Sequence, residues 1–576
     1  MATNAEIADS LNEIATMLAI EGSNPFRIRA YENAARVIFG YPKSIEEIVN
    51  SGKSLPKIPG IGKDLEGKIL ALAENKPLPL IRKLEKEIPK DLIGMTKIPG
   101  LGPKRVRALH IALGITSFAD LARAARTGQI IQVRGFGEKI QNSINIFLSN
   151  KALNEGKSKQ KRKSWYDVRE IAIRLESQLR AIDKVKRVEI AGSYRRKKDT
   201  VGDLDFLVTS GSGQSVIEKF TKLEEVKAIT SMGTTKATVI LKSGLQVDLR
   251  VVPEESYGAA LHYFTGSKEH NIAIRHRGQE RGLKINEYGV FSGGKRIAGK
   301  TESEVFRSIN LPFIEPELRE NNGEIEAAQT GKLPHLIGLE DIKGDLHVHT
   351  NATDGNATLR EMVKAAIAKK YSYIAITDHS KRVNVANGLS ADRLLKQIEE
   401  IDELQIEFPS IKILKGIEVD ILKDGSLDLP DAILSRLDVR ICAVHYDRNM
   451  SRSQMTDRII RAMDNPLFNV LAHPTGRLIG SRDAYEVDLE KVIIAARDRG
   501  CYLEINCQPM RLDLIDYHCQ LCTDIGASVS IATDSHDVNS LDLMVLGVNQ
   551  ARRGWVEKND VLNALSSEQI LSALNR

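Results

Sequence analysis

The sequence predicts a multidomain protein: an all-α N-terminal region, an α+β centre and a C-terminal α/β barrel of seven strands. Three observations carry this prediction. Residues 1–150 show helical periodicity interrupted by three short Gly-x-Gly turns. Residues 165–252 alternate a long helix with strand-like runs, two of which carry aspartates. From Gly344 onward strand-like and helical stretches alternate, with histidines and carboxylates at the strand ends. At 576 residues the chain is also too long for one core.

Composition bounds the function classes. The formal charge of +6 is modest, so net charge alone does not point to nucleic acid. Basic residues are nevertheless clustered, in Lys157–Lys163 and in Tyr194-Arg-Arg-Lys-Lys198. The five cysteines fall between Cys442 and Cys522, too sparse for a disulfide framework and fitting a reducing compartment. Cys519 and Cys522 lie in a helical pattern and read as two small buried side chains. No apolar run approaches ~18 residues, and the N-terminus lacks a signal-peptide layout. A cytoplasmic protein with no membrane partner is expected.

In the N-terminal region Ile7, Leu11, Ile14 and Leu18 recur at helical spacing. The turns are Ile58-Pro-Gly-Ile-Gly-Lys63, Ile98-Pro-Gly-Leu-Gly-Pro103 and Val133-Arg-Gly-Phe-Gly-Glu138. Gly60 and Gly62, Gly100 and Gly102, and Gly135 and Gly137 allow a tight turn. The helix that follows offers free backbone N–H groups to a phosphate. The three turns resemble helix-hairpin-helix elements, which grip DNA backbones without reading sequence.

In the centre, Val185–Ala191, Leu204–Thr209, Ala237–Leu241 and Leu245–Val252 have strand composition. On a strand Asp203 and Asp205 share one face, and a neighbouring strand can bring Asp248 to them. Three grouped carboxylates repel one another unless divalent cations are bound. Two such cations ~3.5–4 Å apart can activate an attacking hydroxyl and stabilise a leaving oxygen. The turn at Gly192 and Ser193 offers donors to a triphosphate, Arg196 adds positive charge, and Gly202 precedes the aspartates. This set resembles the nucleotidyltransferase superfamily, and within it the family X DNA polymerases.

Tyr263-Phe264-Thr-Gly266-Ser, Asn271, Arg275 and Lys284-Ile-Asn-Glu-Tyr288 extend the resemblance to the family's thumb segment. The resemblance implies that Tyr263 and Phe264 lie against the incoming sugar. It likewise places Asn271 at the base's minor-groove edge and Arg275 on the template side. It implies Mg or Mn at the aspartates, a palm over 151–252 and a thumb over 253–318. Phe26-Arg-Ile-Arg-Ala-Tyr31 resembles the family's small gap-binding domain, expected over 1–85, with a further helical DNA-binding part over 86–150. Lys68 occupies the place of the family's lyase lysine, whose Schiff-base chemistry requires a lowered pKa. Two positions depart from vertebrate members: Phe26 replaces a histidine, and Gln246 replaces an arginine beside Asp248.

Residues 319–340 carry Gly, Asn and Pro without periodicity and read as a linker. From 341 to 576, expected strands end near His349, Asp378, Glu418, His445, His473, Asn506 and Asp534. A barrel of parallel strands gathers such residues on one rim. His347, His349, Asp354, His379, Glu418, His445, His473, Asp534 and His536 resemble the ligand set of the polymerase-and-histidinol-phosphatase (PHP) family. That resemblance implies three divalent cations (Mn, Zn or Fe), a bridging role for Glu418 and hydrolysis of a phosphate ester by cation-activated water. Arg477 is a candidate phosphate contact, and His518 reads as structural.

The domain order is similar to that of bacterial family X polymerases and covers nearly the whole chain. The resemblance implies gap-filling synthesis with dNTPs on gapped or nicked DNA, a 3'-5' exonuclease, cutting at abasic sites, and a nucleoid-associated monomer. Two other readings keep the polymerase with a small-molecule phosphatase barrel, or make the chain a non-catalytic DNA-binding scaffold.

Overall fold

The structure is a computed structural model and describes residues 4–39, 45, 49, 61–74, 76, 78–96, 98, 101–137, 140, 141, 144 and 162–575. The chain divides into two compact units, Met1–Gln160 and Lys161–Arg576. The described elements of the first are helical, from Asn4–Glu21 to Phe118–Arg126 with a short 3-10 turn after them. Ile7, Leu11, Ile14 and Leu18 are fully buried in its core, the face that their spacing predicts. Ser117 caps the helix Phe118–Arg126 through a capping box with Asp120.

The second unit begins with a five-stranded sheet in the order Val185–Ile190, Asp203–Ser210, Gln246–Val252, Lys236–Leu241, Val226–Met232. Four of these strands match the sequence expectation to within a residue or two. The fifth, Val226–Met232, was not expected. It is a mostly exposed edge strand without a buried face to leave an alternating pattern. Helices Tyr257–Thr265 and Lys268–Gln279 and a three-stranded antiparallel sheet over residues 283–298 follow.

Residues 319–340 are not a linker. They contain the helix Glu324–Thr330, and Arg319 and Glu324 are fully buried. Arg319 donates to the Ile314 carbonyl at 2.9 Å and pairs with Glu302 at 2.5 Å. Glu302 also accepts from Arg195. Burial opposes its charge, yet Arg319 and Arg195 outweigh burial and hold its pKa at about 2. Glu324 accepts from the Asn321 and Asn322 amides and lies 2.7 Å from His270. Beyond, Leu336 bridges Glu557 and the Ile337 amide donates to the Val556 carbonyl, joining this segment to the C-terminal domain.

That domain is a seven-stranded, all-parallel sheet in sequence order: Gly344–Asp345, Tyr373–Ile376, Lys412–Asp420, Val439–Ala443, Val470–Leu471, Tyr502–Asn506 and Val529–Ala532. Sequential order fits right-handed crossovers through outer helices. The first and last strands are sutured by buried Asn563. Its amide nitrogen donates to the Gly344 and Ile531 carbonyls at 2.8 and 2.7 Å, and its oxygen accepts from the Ile531 amide at 2.9 Å. Val348 and Ser535 continue the closure. Cys519 and Cys522 are buried and unpaired in the helix Asp516–Ile525, as expected. Among the described residues no helix is long and apolar enough to cross a membrane.

Candidate active sites

The first candidate site lies on the five-stranded sheet. Strands Asp203–Ser210 and Gln246–Val252 are parallel, and their register sets Asp205 directly beside Asp248 and Asp203 beside Gln246. The three aspartates therefore share one face at one end of two adjacent interior strands. Burial and the neighbouring carboxylates Asp203 and Asp248 push the Asp205 pKa up to about 7. Burial and Asp248 raise Asp203 as well. Asp248 is oriented by Thr238, at 2.5 Å, and by Gln246, at 2.7 Å. The substitution of glutamine for arginine at 246 thus leaves a hydrogen-bonded third carboxylate. A carboxylate cluster this repulsive is a fitting divalent-cation site by its donor chemistry.

Gly192 opens the short helix Gly192–Arg195 beside this cluster with φ +62°, and a Cβ there would lie 2.3 Å from Asp205 Oδ2. Only glycine permits that approach. Ser193 lies in the same turn and Gly202 directly precedes Asp203. Arg196 does not stand free: its guanidinium donates to Glu320 at 3.0 Å and to the Thr265 carbonyl. It therefore ties the Gly-Ser turn to Gly266, whose added Cβ would meet Arg196 at 3.1 Å. Tyr263 and Phe264 form an edge-to-face pair at 5.1 Å, and the Arg250 guanidinium lies 4.3 Å from the Phe264 ring centre. Asn271 donates to the Tyr263 carbonyl at 2.6 Å, and Arg275, exposed, donates to the Asn271 carbonyl at 3.2 Å.

The second candidate site is the barrel rim. Glu418 lies within 3.6 Å of five imidazoles, those of His347, His349, His379, His445 and His473. Three groups have ligand atoms within 4.8 Å of one another: His349, Asp354, His379 and His536; His347, His349 and Asp534; His379, Glu418 and His445. All nine expected residues therefore gather at one rim. His347 Nε2, both ring nitrogens of His349, His379 Nδ1 and Glu418 Oε2 are buried without hydrogen-bond partners among the described residues. Such orphaned donors facing one another fit divalent cations, with the mixed imidazole and carboxylate set of Zn, Mn or Fe. Burial opposes a charge on Glu418, but His379, His445 and His347 outweigh burial and hold its pKa well below the usual range. His473 and Asp534 adopt φ of +28° and +53°, strained backbone at ligand positions.

Several supporting residues escaped sequence reasoning. Glu504 pairs with His347 Nδ1 at 2.6 Å and accepts the His473 amide at 2.8 Å. Asp420 lies 3.2 Å from His445 Nδ1. Both orient ligands through the nitrogen turned away from the cluster. Asp378, by contrast expected at a strand end beside His379, holds Thr350 and Gln397 and so fixes the loop leading to Asp354. Arg477 is a correction. Its guanidinium donates to the Arg511 and Leu512 carbonyls at 2.7 and 2.6 Å, and its Nη2 lies 3.6 Å from the Asp199 carboxylate, so its charge is already paired.

In the N-terminal unit, Gly62 and Gly102 cap the helices Lys63–Ala73 and Pro103–Leu113 with no side-chain cap. Their φ values are −86° and −70°, so conformation does not require glycine there. Among the described residues, an added Cβ at Gly62, Gly102 or Gly137 meets nothing within 4 Å. Among the described residues nothing fills the space beside the N-termini of the two helices, where backbone N–H groups could meet a phosphate. Gly135, at φ +91°, is the one of these four glycines in the left-handed region. Gly60 and Gly100 lie outside the described residues, as does most of the basic run Lys157–Lys163. Lys68 bonds Tyr31 at 2.8 Å and Asp64 at 2.5 Å. Burial draws its pKa down, but those two partners outweigh burial and raise it. The lowered pKa that a Schiff-base lysine needs is absent.

Comparison with known families matches residues 2–77 to a helix-hairpin-helix domain and 92–144 to a SAM-like helix-hairpin-helix tandem. Residues 165–263 match the DNA polymerase beta palm, 260–320 the DNA polymerase beta thumb and 345–508 the PHP domain. The DNA polymerase/3'-5' exonuclease PolX of Bacillus subtilis is 38% identical over 576 residues, covering 99% of both chains. A "Probable phosphatase" of Thermoanaerobacter pseudethanolicus is 33% identical over 168 residues, 28% of this chain and 63% of that one. Another, of Acetivibrio thermocellus, is 32% identical over 167 residues, 28% of this chain and 64% of that one.

Proposed function

Because the chain belongs to the family of the DNA polymerase/3'-5' exonuclease PolX, we propose that it fills gaps in DNA at one site and trims 3' ends at the other. The observation that carries this reading is the pair of separate cation-fitting clusters on one chain, three aspartates on the sheet and nine ligands on the barrel rim. Divalent cations, when bound, supply Lewis acidity and lower the pKa of water or a hydroxyl.

At the sheet, Asp203, Asp205 and Asp248 hold the cations, and Mg or Mn suits three carboxylates. The Gly192–Ser193 turn seats the triphosphate, with Arg196 between that turn and Gly266. Tyr263 and Phe264 pack against the sugar, while Asn271 and Arg275 face the base pair. The primer 3'-oxygen gives up its proton to solvent and bonds to the α-phosphorus, the bond from that phosphorus to the α–β bridging oxygen breaks, and pyrophosphate leaves. At the barrel, His347, His349, Asp354, His379, Glu418, His445, His473, Asp534 and His536 hold the cations. Water adds across the terminal P–O3' bond, and a 5'-mononucleotide leaves. The hairpin glycines 62, 102, 135 and 137 hold the DNA backbone without reading sequence. Gapped or nicked duplex and dNTPs are the substrates.

The test is a gapped-duplex assay with Mn, with and without dNTPs. Asp205→Ala abolishes extension and leaves 3' shortening, and His349→Ala does the reverse. Retention of both activities by both variants would sink the assignment. The partial similarity to phosphatases supports a second reading, in which the barrel acts on small phosphomonoesters. Hydrolysis of a free monoester by a barrel that never shortens a primer would favour it.

A further inference from the structure

Three loops on neighbouring barrel strands each bring an arginine to the rim. Arg448 follows ligand His445 by three residues, Arg482 lies on the loop after ligand His473, and Arg511 lies on the loop after Tyr502–Asn506. Arg448 Nη2 donates to the Gly476 carbonyl at 2.8 Å. Arg482 donates to the same oxygen through Nε at 3.2 Å and Nη2 at 2.9 Å. A carbonyl has no net charge, so neither cation is neutralised. Among the described residues no carboxylate pairs with Arg448 or Arg482. Arg448 Nε is buried and lacks a hydrogen-bond partner among the described residues. Arg511 Nε lies 3.7 Å from Asp534 Oδ2, which joins this patch to the ligand cluster.

The platform is built rather than incidental. Gly476 has φ +60°, and a Cβ there would lie 2.8 Å from the Tyr485 ring and 3.2 Å from Arg448 Nη2. Tyr485 in turn donates to the Pro474 carbonyl at 2.7 Å. Like charges are thus held together at a cost that an anion would relieve. Guanidinium forks match phosphate oxygens in geometry as well as charge. Their carbonyl anchor comes three residues after ligand His473, so this positive field begins where the ligand cluster ends.

We propose that Arg448 and Arg482 form an upstream phosphate subsite, gripping the phosphodiester 5' to the one being cut and making the barrel selective for polynucleotides. This rests on the barrel being a 3' nuclease. The subsite has no use for a phosphomonoester, which carries no upstream phosphate.

The experiment compares dTpdT, which has only the scissile phosphate, with dTpdTpdT, which adds one upstream, using the full chain and Mn. The first cleavage is followed for wild type and for Arg448→Gln/Arg482→Gln. Wild type should favour the trinucleotide in kcat/KM by about tenfold, the value of one charge-assisted hydrogen bond. The double variant should lose that preference, with a much smaller change on dTpdT. Its salt dependence on longer single strands should also flatten by about one phosphate contact. Arg482→Gln alone, at an exposed position, tests the same point at smaller amplitude if the double variant does not fold. A preserved preference, or equal losses on both substrates, would overturn the subsite. Failure of wild type to cut any oligonucleotide would instead overturn the nuclease reading.

Discussion

The guanidinium of Arg553 donates a 2.8 Å hydrogen bond to the main-chain carbonyl of Arg196. Arg553 ends the barrel helix Met544–Arg553 and also pairs with Asp516 and, at 3.2 Å, with Glu320. Glu320 in turn holds the Arg196 guanidinium. A residue of the barrel domain thus braces the turn assigned to the triphosphate. Arg553→Ala should raise KM for dNTPs by about tenfold while 3' shortening stays within about twofold. Breaking a buried charge cluster should also cost about 3 kcal/mol. Steady-state extension kinetics and thermal melting check both.

Asp205 makes the metal-free protein less stable as pH rises. Its pKa in the folded state, about 7, lies above the unfolded value of 3.8. The folded state therefore holds its proton more tightly, and the penalty grows from about pH 4 to 7 and is constant above. Asp205→Asn removes the penalty, at most on the order of 4 kcal/mol. In chelator the variant should melt higher than wild type at pH 8, with the gap closing towards pH 4. A gap that does not depend on pH would show that ionisation of this carboxyl is not its cause. Proton competition also predicts weaker Mn binding to this site below pH 7.

Glu504→Gln tests the support behind the barrel ligands. It keeps the shape but removes the charge beside His347 Nδ1. Loss of such a partner typically costs 10–100-fold in metal affinity. Shortening should therefore require more Mn for half-maximal rate, while extension is unchanged.

Asn563→Ala opens the seam between the first and last barrel strands. It leaves the buried Gly344 carbonyl and the Ile531 amide and carbonyl without their partner. A loss of about 3 kcal/mol in barrel stability is expected. Denaturant unfolding measures it, and a loss below about 1 kcal/mol would show that the strands close without the suture.

The barrel was legible because ligands mark strand ends, so a chemical pattern and a structural one coincide at six of the seven strands. The aspartates were legible for a similar reason, since strand alternation fixes Asp203 and Asp205 to one face. Glu504 was not, because a glutamate within an apolar strand carries no mark of the imidazole it meets across the barrel. Residues 319–340 were misread because their order comes from long-range polar contacts. The bonds of Arg319 to Glu302 and of Glu324 to His270 leave no periodic signal. The hairpin glycines were read as conformational, whereas at 62 and 102 the structure gives them negative φ and open space. Lys68 was assigned by position alone, and position says nothing of the acid and phenol that hold its proton.

The pairing of Leu336 with Glu557 and the burial of Arg319 remove a hinge between synthesis and trimming. With the palm and barrel fastened in this way, residues 319–340 do not serve as an arm that swings a mismatched terminus between them, and travel falls to the strand itself. The choice between growth and correction then becomes a race between the next addition and that departure.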